Sequence, residues 1–371
     1  MVGALFMCQV SKRLQQAKGD EGEWAEGPFG GVNVIFTGDF AQLKPVKQPS
    51  LYCHRYVRSP GLAECQSHDG VGALMGVYLW RLVKTVVMLK WNQRQTGDPI
   101  YAALLERIRV GACVVDKTSG SLSDLELLRS RELSRIRRDG VEDLVKFCNA
   151  PIIVGRKKVR DLLNLRLMAH HARSLGADVH VYYAEDRMSG EEPIVRIKQE
   201  LWRLSTSVTN DVMGRLPLFA GMKVMVLENI AFSNKVVNGS EGVIESIRYK
   251  QDTTDGRRYA AVAYVKIPGA GVVDESLETD VVPIFPEKVS FRWTVEKGGV
   301  TTRQWVRRSQ LPLLPAYAYT DYKSQGRSLD TAIVDLENDI LLETKAAVDN
   351  SMLHLVAHSA NRNTDDSLEC C

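Results

Sequence analysis

The segment Val32-Asn33-Val34-Ile35-Phe36 is apolar nearly throughout and runs straight into Thr37-Gly38-Asp39. A strand without a polar face must be buried on both sides, and such strands belong to parallel sheets covered by helices. The pattern recurs along the chain. Leu79 to Leu89 is apolar and β-branched, and Ile152-Ile153-Val154 is a short apolar run that enters a helix through Gly155. Val224 to Leu227 and Ile333 to Leu336 read as further buried strands. Helical segments lie between them. Met1 to Ala17 carries Leu5, Val10 and Leu14 among its apolar residues. A second helix is bounded by Asp98 as cap, Pro99 at its first position and Gly111 at its exit, with Ile100, Leu104 and Ile108 on one face. Strands alternating with helices predict an α/β fold with a mostly parallel sheet.

From about Gly242 to Val306 the pattern changes to alternating apolar and polar residues. The turns there carry Asp255-Gly256, Pro268-Gly269 and Gly298-Gly299. Phe291, Trp293 and Val295 fall on one face of a strand that enters the Gly-Gly turn. This predicts an antiparallel β insert, a small barrel, inside the second α/β lobe. The 371 residues are enough for two to three domains at ~150 residues each.

Composition sets limits on partners. Hydrophobic residues make up 44% and charged residues 25%, which excludes wholesale disorder. The net charge of +3 permits a nucleic-acid partner without demanding one. Basic residues cluster at Arg129 to Arg138, at Arg156 to Arg160 and at Arg303 to Arg308. Each cluster alone reads as a solvated face, and together they leave room for a phosphate-tracking groove. The 7 cysteines have no regular spacing, which indicates a reducing compartment. Cys53, His54, Cys65 and His68 match no standard zinc spacing and read as a plain loop, so no metal ligands are assigned. No targeting segment is read. The longest uncharged stretch, Gly70 to Trp80, is too short to span a membrane.

Four strings carry candidate chemistry. Gly38-Asp39-Phe40-Ala41-Gln42-Leu43-Lys44-Pro45-Val46 follows the first apolar strand. Functional groups collect beyond the carboxyl ends of parallel strands. An Asp and a Gln held there can meet the end of a phosphate chain, or simply close a capped turn. Asn92-Gln93-Arg94-Gln95 precedes the capped helix, and Arg94 can offer a planar cation to a phosphoryl group or lie on the surface. Thr320-Asp321-Tyr322-Lys323-Ser324-Gln325-Gly326 follows an alternating strand carrying Tyr317 and Tyr319, and its hydroxyls, amides and Lys suit phosphate contact. Leu355 to Arg362 carries no signal by itself.

Taken in order, these strings resemble the petite-integration-frequency family of ATP-dependent DNA helicases, superfamily-one motors of 5′-to-3′ polarity related to RecD and to Helitron helicases. Gly38 to Val46 is similar to the family's G-D-F-x-Q-L-P-P-V, with Lys44 for the first Pro. Asn92 to Gln95 is similar to N-x-R-Q. Gly221 to Gly242, with Val237-Asn238-Gly239-Ser240-Glu241-Gly242, is similar to G-x-x-V-M…V-N-G-x-x-G. Thr320 to Asp330 is similar to T-I-H-K-S-Q-G-x-T-L-D, with Asp321 and Tyr322 as departures.

The resemblance implies tandem RecA-like lobes with an SH3-like β insert in the second. The first lobe, 1–148, would be incomplete, the second would comprise 149–241 and 311–371, and the insert 242–310. It implies ATP and Mg²⁺ as cofactors and single-stranded DNA or DNA junctions as partners, for a monomer working in the nucleus or the mitochondrion. Repair, recombination and telomere maintenance are the family's processes. By the resemblance, Asp39, Gln42 and Arg94 would serve the γ-phosphate and its water network. Gly38, Gln325, Gly326 and Arg362 would line the nucleotide. Thr320, Lys323, Ser324 and Asn238 would meet DNA. The 371 residues hold no G-x-x-x-x-G-K-[ST]; the nearest string, Gly111 to Thr118, has Asp116 where the second Gly belongs. The magnesium-holding acidic pair would lie ahead of Met1, and Ala360 stands where the family has an Arg. An N-terminally truncated motor, inactive alone, is therefore the expectation. The alternative is a non-hydrolysing single-stranded-DNA-binding remnant or a decayed transposon-derived fragment.

Overall fold

The computed structural model describes residues 2–19, 27–53, 55, 58, 66–90, 97–114, 123–139, 147, 149–297, 300–327, 329 and 331–336. They belong to two compact units, Met1–Asp124 and Leu125–Cys371. That join falls ahead of the 148/149 boundary drawn from the sequence.

In the first unit, helix α1 (Ala4–Lys18) packs on α2 (His68–Arg81), burying Ala4 and Met7 against Ala73, Val77 and Leu79. Ser67 caps α2 by accepting from Gly70 N at 3.0 Å. The helix predicted after Asp98 forms as read: α3 (Pro99–Val110) has Asp98 accepting from Tyr101 N at 2.9 Å and ends at Gly111 with φ 69°. Of its apolar residues Leu104 is buried, while Ile100 and Ile108 are exposed.

Two strand expectations fail in this unit. Residues 32–36 form no strand, and Ile35 is 91% exposed. Leu79 to Arg81 close helix α2, and 83–90 form neither helix nor strand, leaving Val86 to Leu89 exposed. A strand needs a neighbour for its backbone N–H and C=O groups. Among the described residues of this unit, the single Gly3–Ser50 bridge is the only strand-like pairing. Phe36 instead packs edge-on against Trp80, with ring centroids 5.6 Å apart.

The second unit begins with the short helices α4 (Asp124–Ser130), which starts at the join, and α5 (Leu133–Asp139). Its parallel sheet has β1 (Ile152–Val154) between β12 (Ala318–Thr320) and β13 (Ile333–Val334), as the apolar runs predicted. Helix α6 (Lys157–Leu175) follows β1 through Gly155. Buried Asn164 on α6 locks onto the next strand: its Oδ1 accepts from Ala318 N at 2.7 Å and its Nδ2 donates to Ala318 O at 3.1 Å. Those bonds satisfy backbone groups at the start of β12 and fix the helix over the sheet.

The β-rich part is larger than the sequence suggested. A seven-stranded sheet runs in the order β11 (Leu313–Pro315), β5 (Lys223–Val226), β6 (Glu241–Gln251), β7 (Arg258–Lys266), β2 (His180–Tyr183), β4 (Arg215–Leu218), with β8 (Val281–Ile284) also on β7. Its strands come from both sides of 242–310. Val224 to Leu227 is therefore not a parallel α/β strand: β5 pairs antiparallel with β6 and β11. An apolar run shows that a strand is buried, not which strands flank it. Val224, Val226, Ile244, Val265 and Leu313 join one core.

A separate three-stranded sheet holds β3 (Glu185–Met188), β10 (Val300–Gln310) and β9 (Glu287–Lys297), with β9 and β10 paired over their full 11 residues. Phe291 and Trp293 are buried on one face, against Leu201 of α7 (Val195–Trp202).

Candidate nucleic-acid interface

Strands β1 and β12 are parallel with Val154 opposite Thr320, so both end at the same level. The segments that leave the two strands therefore meet at one edge. After β1 come Gly155, Arg156 and the first turn of α6, with Lys157 and Arg160. After β12 comes the one-turn helix α8 (Asp321–Ser324). Lys323 on α8 reaches out of this edge and donates to Asn238 Oδ1 at 2.6 Å. Asn238 belongs to the turn between β5 and β6 and is steadied by its own N–H on Asn229 Oδ1 at 2.9 Å. Two strings 85 residues apart are thus joined at one point.

Arg327 fastens the same junction. Its Nε donates to Lys323 O at 2.9 Å, its Nη2 to Gly239 O at 2.6 Å, and its Nη1 to Glu241. Its guanidinium also lies over the Tyr319 ring, 4.8 Å from the centroid. Gly239 holds φ 99°, a conformation that side chains oppose, which explains a glycine after Asn238.

The cations at this edge are close enough to feel one another. Burial lowers the Lys323 pKa first; Asp211 opposes that shift, and Lys157, Arg160 and Arg327 reinforce it. Lys157 Nζ and Arg160 Nη1 each lie 2.9 Å from the Asp211 carboxylate. Arg160 is fully buried and also donates to Asp161 at 2.6 Å and Thr206 at 3.0 Å. Burial pushes the Asp211 carboxyl up, but Arg160 and Lys157 outweigh it and hold it below the usual carboxylate range. A carboxylate with a lowered folded pKa contributes stability above its unfolded value, and that contribution fades as pH falls through the folded value. Asp211→Asn is expected to cost about 2 kcal/mol at pH 7 by leaving Arg160 short of a counter-charge. It should also flatten the loss of stability below about pH 4. Urea titrations of both proteins from pH 7 to pH 3 test this, and parallel pH curves for the two would refute it.

The structure also places the remaining candidate residues. Thr320 is buried at the end of β12, and half-buried Ser324 donates its hydroxyl to Asp321 O at 2.8 Å within α8. Gln325 and Gly326 are exposed just beyond it, with Gly326 at φ 83°. In the first unit, Asp39 accepts from Nη1 and Nη2 of Arg109, at 2.6 and 2.5 Å, and from the N–H of Ala41 at 2.9 Å. It is a turn-closing, ion-paired carboxylate. Gln42 is exposed one turn later, and Gly38 has no neighbouring atom where a side chain would begin. Arg94 and Arg362 lie outside the described residues, as do His54, Cys65 and Ala360. The described residues hold no group of three or more His, Cys, Asp or Glu side chains placed for a metal. With both Asp39 oxygens on Arg109, they do not fit a magnesium site, and no step through Mg²⁺ is assigned to them.

Sequence reading missed Arg327, Asp211 and Glu241 as parts of this edge. Lys157 and Arg160 did carry a signal, as cations in the first turn of a helix that follows a buried strand. Arg308, grouped with Arg303 and Arg307 as a basic cluster, is instead fully buried on Asp186.

No family model matches the chain. Among curated proteins, the ATP-dependent DNA helicase PIF1 of Mus musculus is 28% identical over 312 residues, 83% of this chain and 37% of that protein. The chain is a relative of the Pif1-type DNA helicases. PIF7 of Trypanosoma brucei brucei is 25% identical over 91% of this chain and 33% of its own length. RRM3 of Saccharomyces cerevisiae is 24% identical over 88% of this chain and 45% of its own. The chain thus spans about 37% of the length of the mammalian Pif1-type relatives it matches. Among solved structures, a Bacteroides Pif1 bound to single-stranded DNA superposes with a TM-score of 0.54 at 21% identity, covering 90% of this chain and 62% of that one. Pif1 helicase from Candida albicans gives 0.51 at 20% identity, over 91% and 65%. These structural likenesses bear on the fold alone, a RecA-like α/β architecture with mixed sheets. No described helix is long and apolar enough to cross a membrane.

Proposed function

We propose that this chain is part of an ATP-dependent 5′-to-3′ DNA helicase serving DNA repair, recombination or telomere maintenance, with the nucleus as its place of work. Its second unit supplies a grip on single-stranded DNA. The observation that carries this reading is the meeting of Asn238 and Lys323, which the sequence holds far apart and the fold joins beside Lys157 and Arg160. Lys323 is a half-buried ammonium whose shell of cations leaves it short of negative charge. A backbone phosphate meets that need. The likeness to ATP-dependent DNA helicases along 83% of the chain favours this motor over a decayed remnant.

In the same reading, Gln42, Arg94 and Arg362 sense the γ-phosphate, and Gln325 and Gly326 link nucleotide to DNA. The strands around 242–310 form the SH3-like element. The 371 residues contain no phosphate-binding loop, so ATP hydrolysis by this chain alone is expected to stay at background.

Two measurements test the proposal. Fluorescence anisotropy with a labelled oligo-dT should show binding that weakens steeply with salt, and Lys323→Ala should weaken it about tenfold. Folded protein that ignores the oligonucleotide would overturn the reading. DNA-stimulated ATP turnover that Arg94→Ala abolishes would show that the chain builds a hydrolytic site without a phosphate loop.

A further inference from the structure

The three-stranded sheet divides its side chains cleanly. The register pairs Phe291 with Val306 and Trp293 with Gln304 on the face that packs on Leu201. The opposite face pairs Arg292 with Trp305, Ser290 with Arg307 and Thr294 with Arg303, and carries Lys288 and, from β3, Arg187. All of these residues are exposed. Trp305 is 59% exposed, with the Arg292 guanidinium 4.8 Å from its ring centroid.

A single exposed tryptophan is ordinary. This one sits among Arg187, Lys288, Arg292, Arg303 and Arg307, and the register puts two carboxylate residues on the same face, Glu185 at one edge and Glu296 toward the end of β9, so that cations outnumber them five to two. Among the described residues none of these cations has an ion-pair partner. Alternate residues on a strand lie about 6.7 Å apart and neighbouring strands about 4.8 Å, so the charges form a flat grid around an indole. A grid of cations attracts a polyanion, and an indole backed by a guanidinium offers a face to one more flat ring.

We propose that this face is a second nucleic-acid surface, separate from the Lys323–Asn238 edge, on which a single strand lays its phosphates along Arg303 and Arg307 and stacks a base on Trp305. An acidic protein would satisfy the charges but leave the indole without a partner, and a duplex would keep its bases out of reach. The proposal rests on the reading of the chain as a DNA-binding helicase part.

The test uses the full chain and anisotropy with a fluorescein-labelled oligo-dT, comparing wild type, Trp305→Ala, Trp305→Phe, Arg303→Ala/Arg307→Ala and Lys323→Ala. Trp305→Ala should weaken binding about tenfold, and Trp305→Phe should restore most of it. The double arginine variant should reduce the slope of log K against log salt by about 1.4, for two lost phosphate contacts. Circular dichroism checks that each variant is folded. If Lys323→Ala weakens binding while the Trp305 and arginine variants bind as wild type, this surface is refuted and the helicase reading stands. If wild type does not bind at all, both fall. An equal loss on a blunt duplex would overturn base stacking. Binding of poly-L-glutamate as tight as oligo-dT would point to an acidic protein partner and overturn the proposal.

Discussion

Asp186→Ala is expected to cost the second unit about 3–5 kcal/mol, enough to abolish its cooperative unfolding transition if the unit is of ordinary stability. Arg308 and Asp186 have fully buried side chains and form a two-pronged pair, Nε to Oδ1 at 2.8 Å and Nη2 to Oδ2 at 2.9 Å. The remaining Arg308 donors go to Leu201 O at 2.8 Å and Val212 O at 3.2 Å, and its guanidinium lies 5.0 Å from the centre of the Phe291 ring. One side chain thus ties β10 to β3, to the end of α7 and to the segment before β4. Removing the carboxylate leaves a buried cation without its counter-ion. Replacing both partners, as in Asp186→Leu with Arg308→Met, removes the charge and takes the side-chain donor from Val212 O, a cost of about 1–3 kcal/mol, while Leu201 O keeps the N–H of Leu204 at 3.2 Å. The double variant should therefore be more stable than Asp186→Ala. Urea unfolding followed by tryptophan fluorescence decides this. A single variant within about 1 kcal/mol of wild type would refute the claim that the pair is an essential brace.

Gly76→Ala should destabilise the first unit by about 3 kcal/mol, although alanine favours helices by about 1 kcal/mol over glycine. The two effects have opposite signs, and geometry decides between them. A Cβ on Gly76 would lie 1.7 Å from the carbonyl oxygen of Ala4 and 2.5 Å from its carbon. Backbone cannot rotate away, so α1 and α2 would have to separate and open the core around Met7 and Val77. One turn earlier, a Cβ on Gly72 would meet the Leu5 Cδ1 at 2.6 Å. That methyl is the end of a flexible side chain, so Gly72→Ala should cost far less. Hydrogen exchange of the α1 amides reads both variants, and wild-type protection in Gly76→Ala would sink the argument.

Helix α3 was legible in the sequence because its signals act within a turn. Asp98 accepts from Tyr101 three residues on, and Gly111 takes the left-handed exit without a side-chain clash. The β9–β10 pairing was legible for a similar reason, since alternation fixes the two faces and the two strands are neighbours in the chain. The order of the four strings was equally legible, and it pointed to the Pif1-type relatives before any geometry was known.

Other features depended on partners that sequence does not name. Residues 32–36 and 83–90 have strand composition but, among the described residues, no neighbouring strand to take their hydrogen bonds. Val224 to Leu227 is buried as read, yet antiparallel, because β6 and β11 are its neighbours. Arg303, Arg307 and Arg308 look alike in the sequence. Register sends the first two to solvent and the third into the core, where Asp186, 122 residues away, receives it. Asp211 carried no sequence signal, and only the packing around α6 sets it between Lys157 and Arg160. Caps, turns and alternation are local, and the chain determined them by itself. Which strand lies beside which, which charge finds its counter-charge and where Lys323 meets Asn238 are long-range matters, and only the tertiary structure decided them.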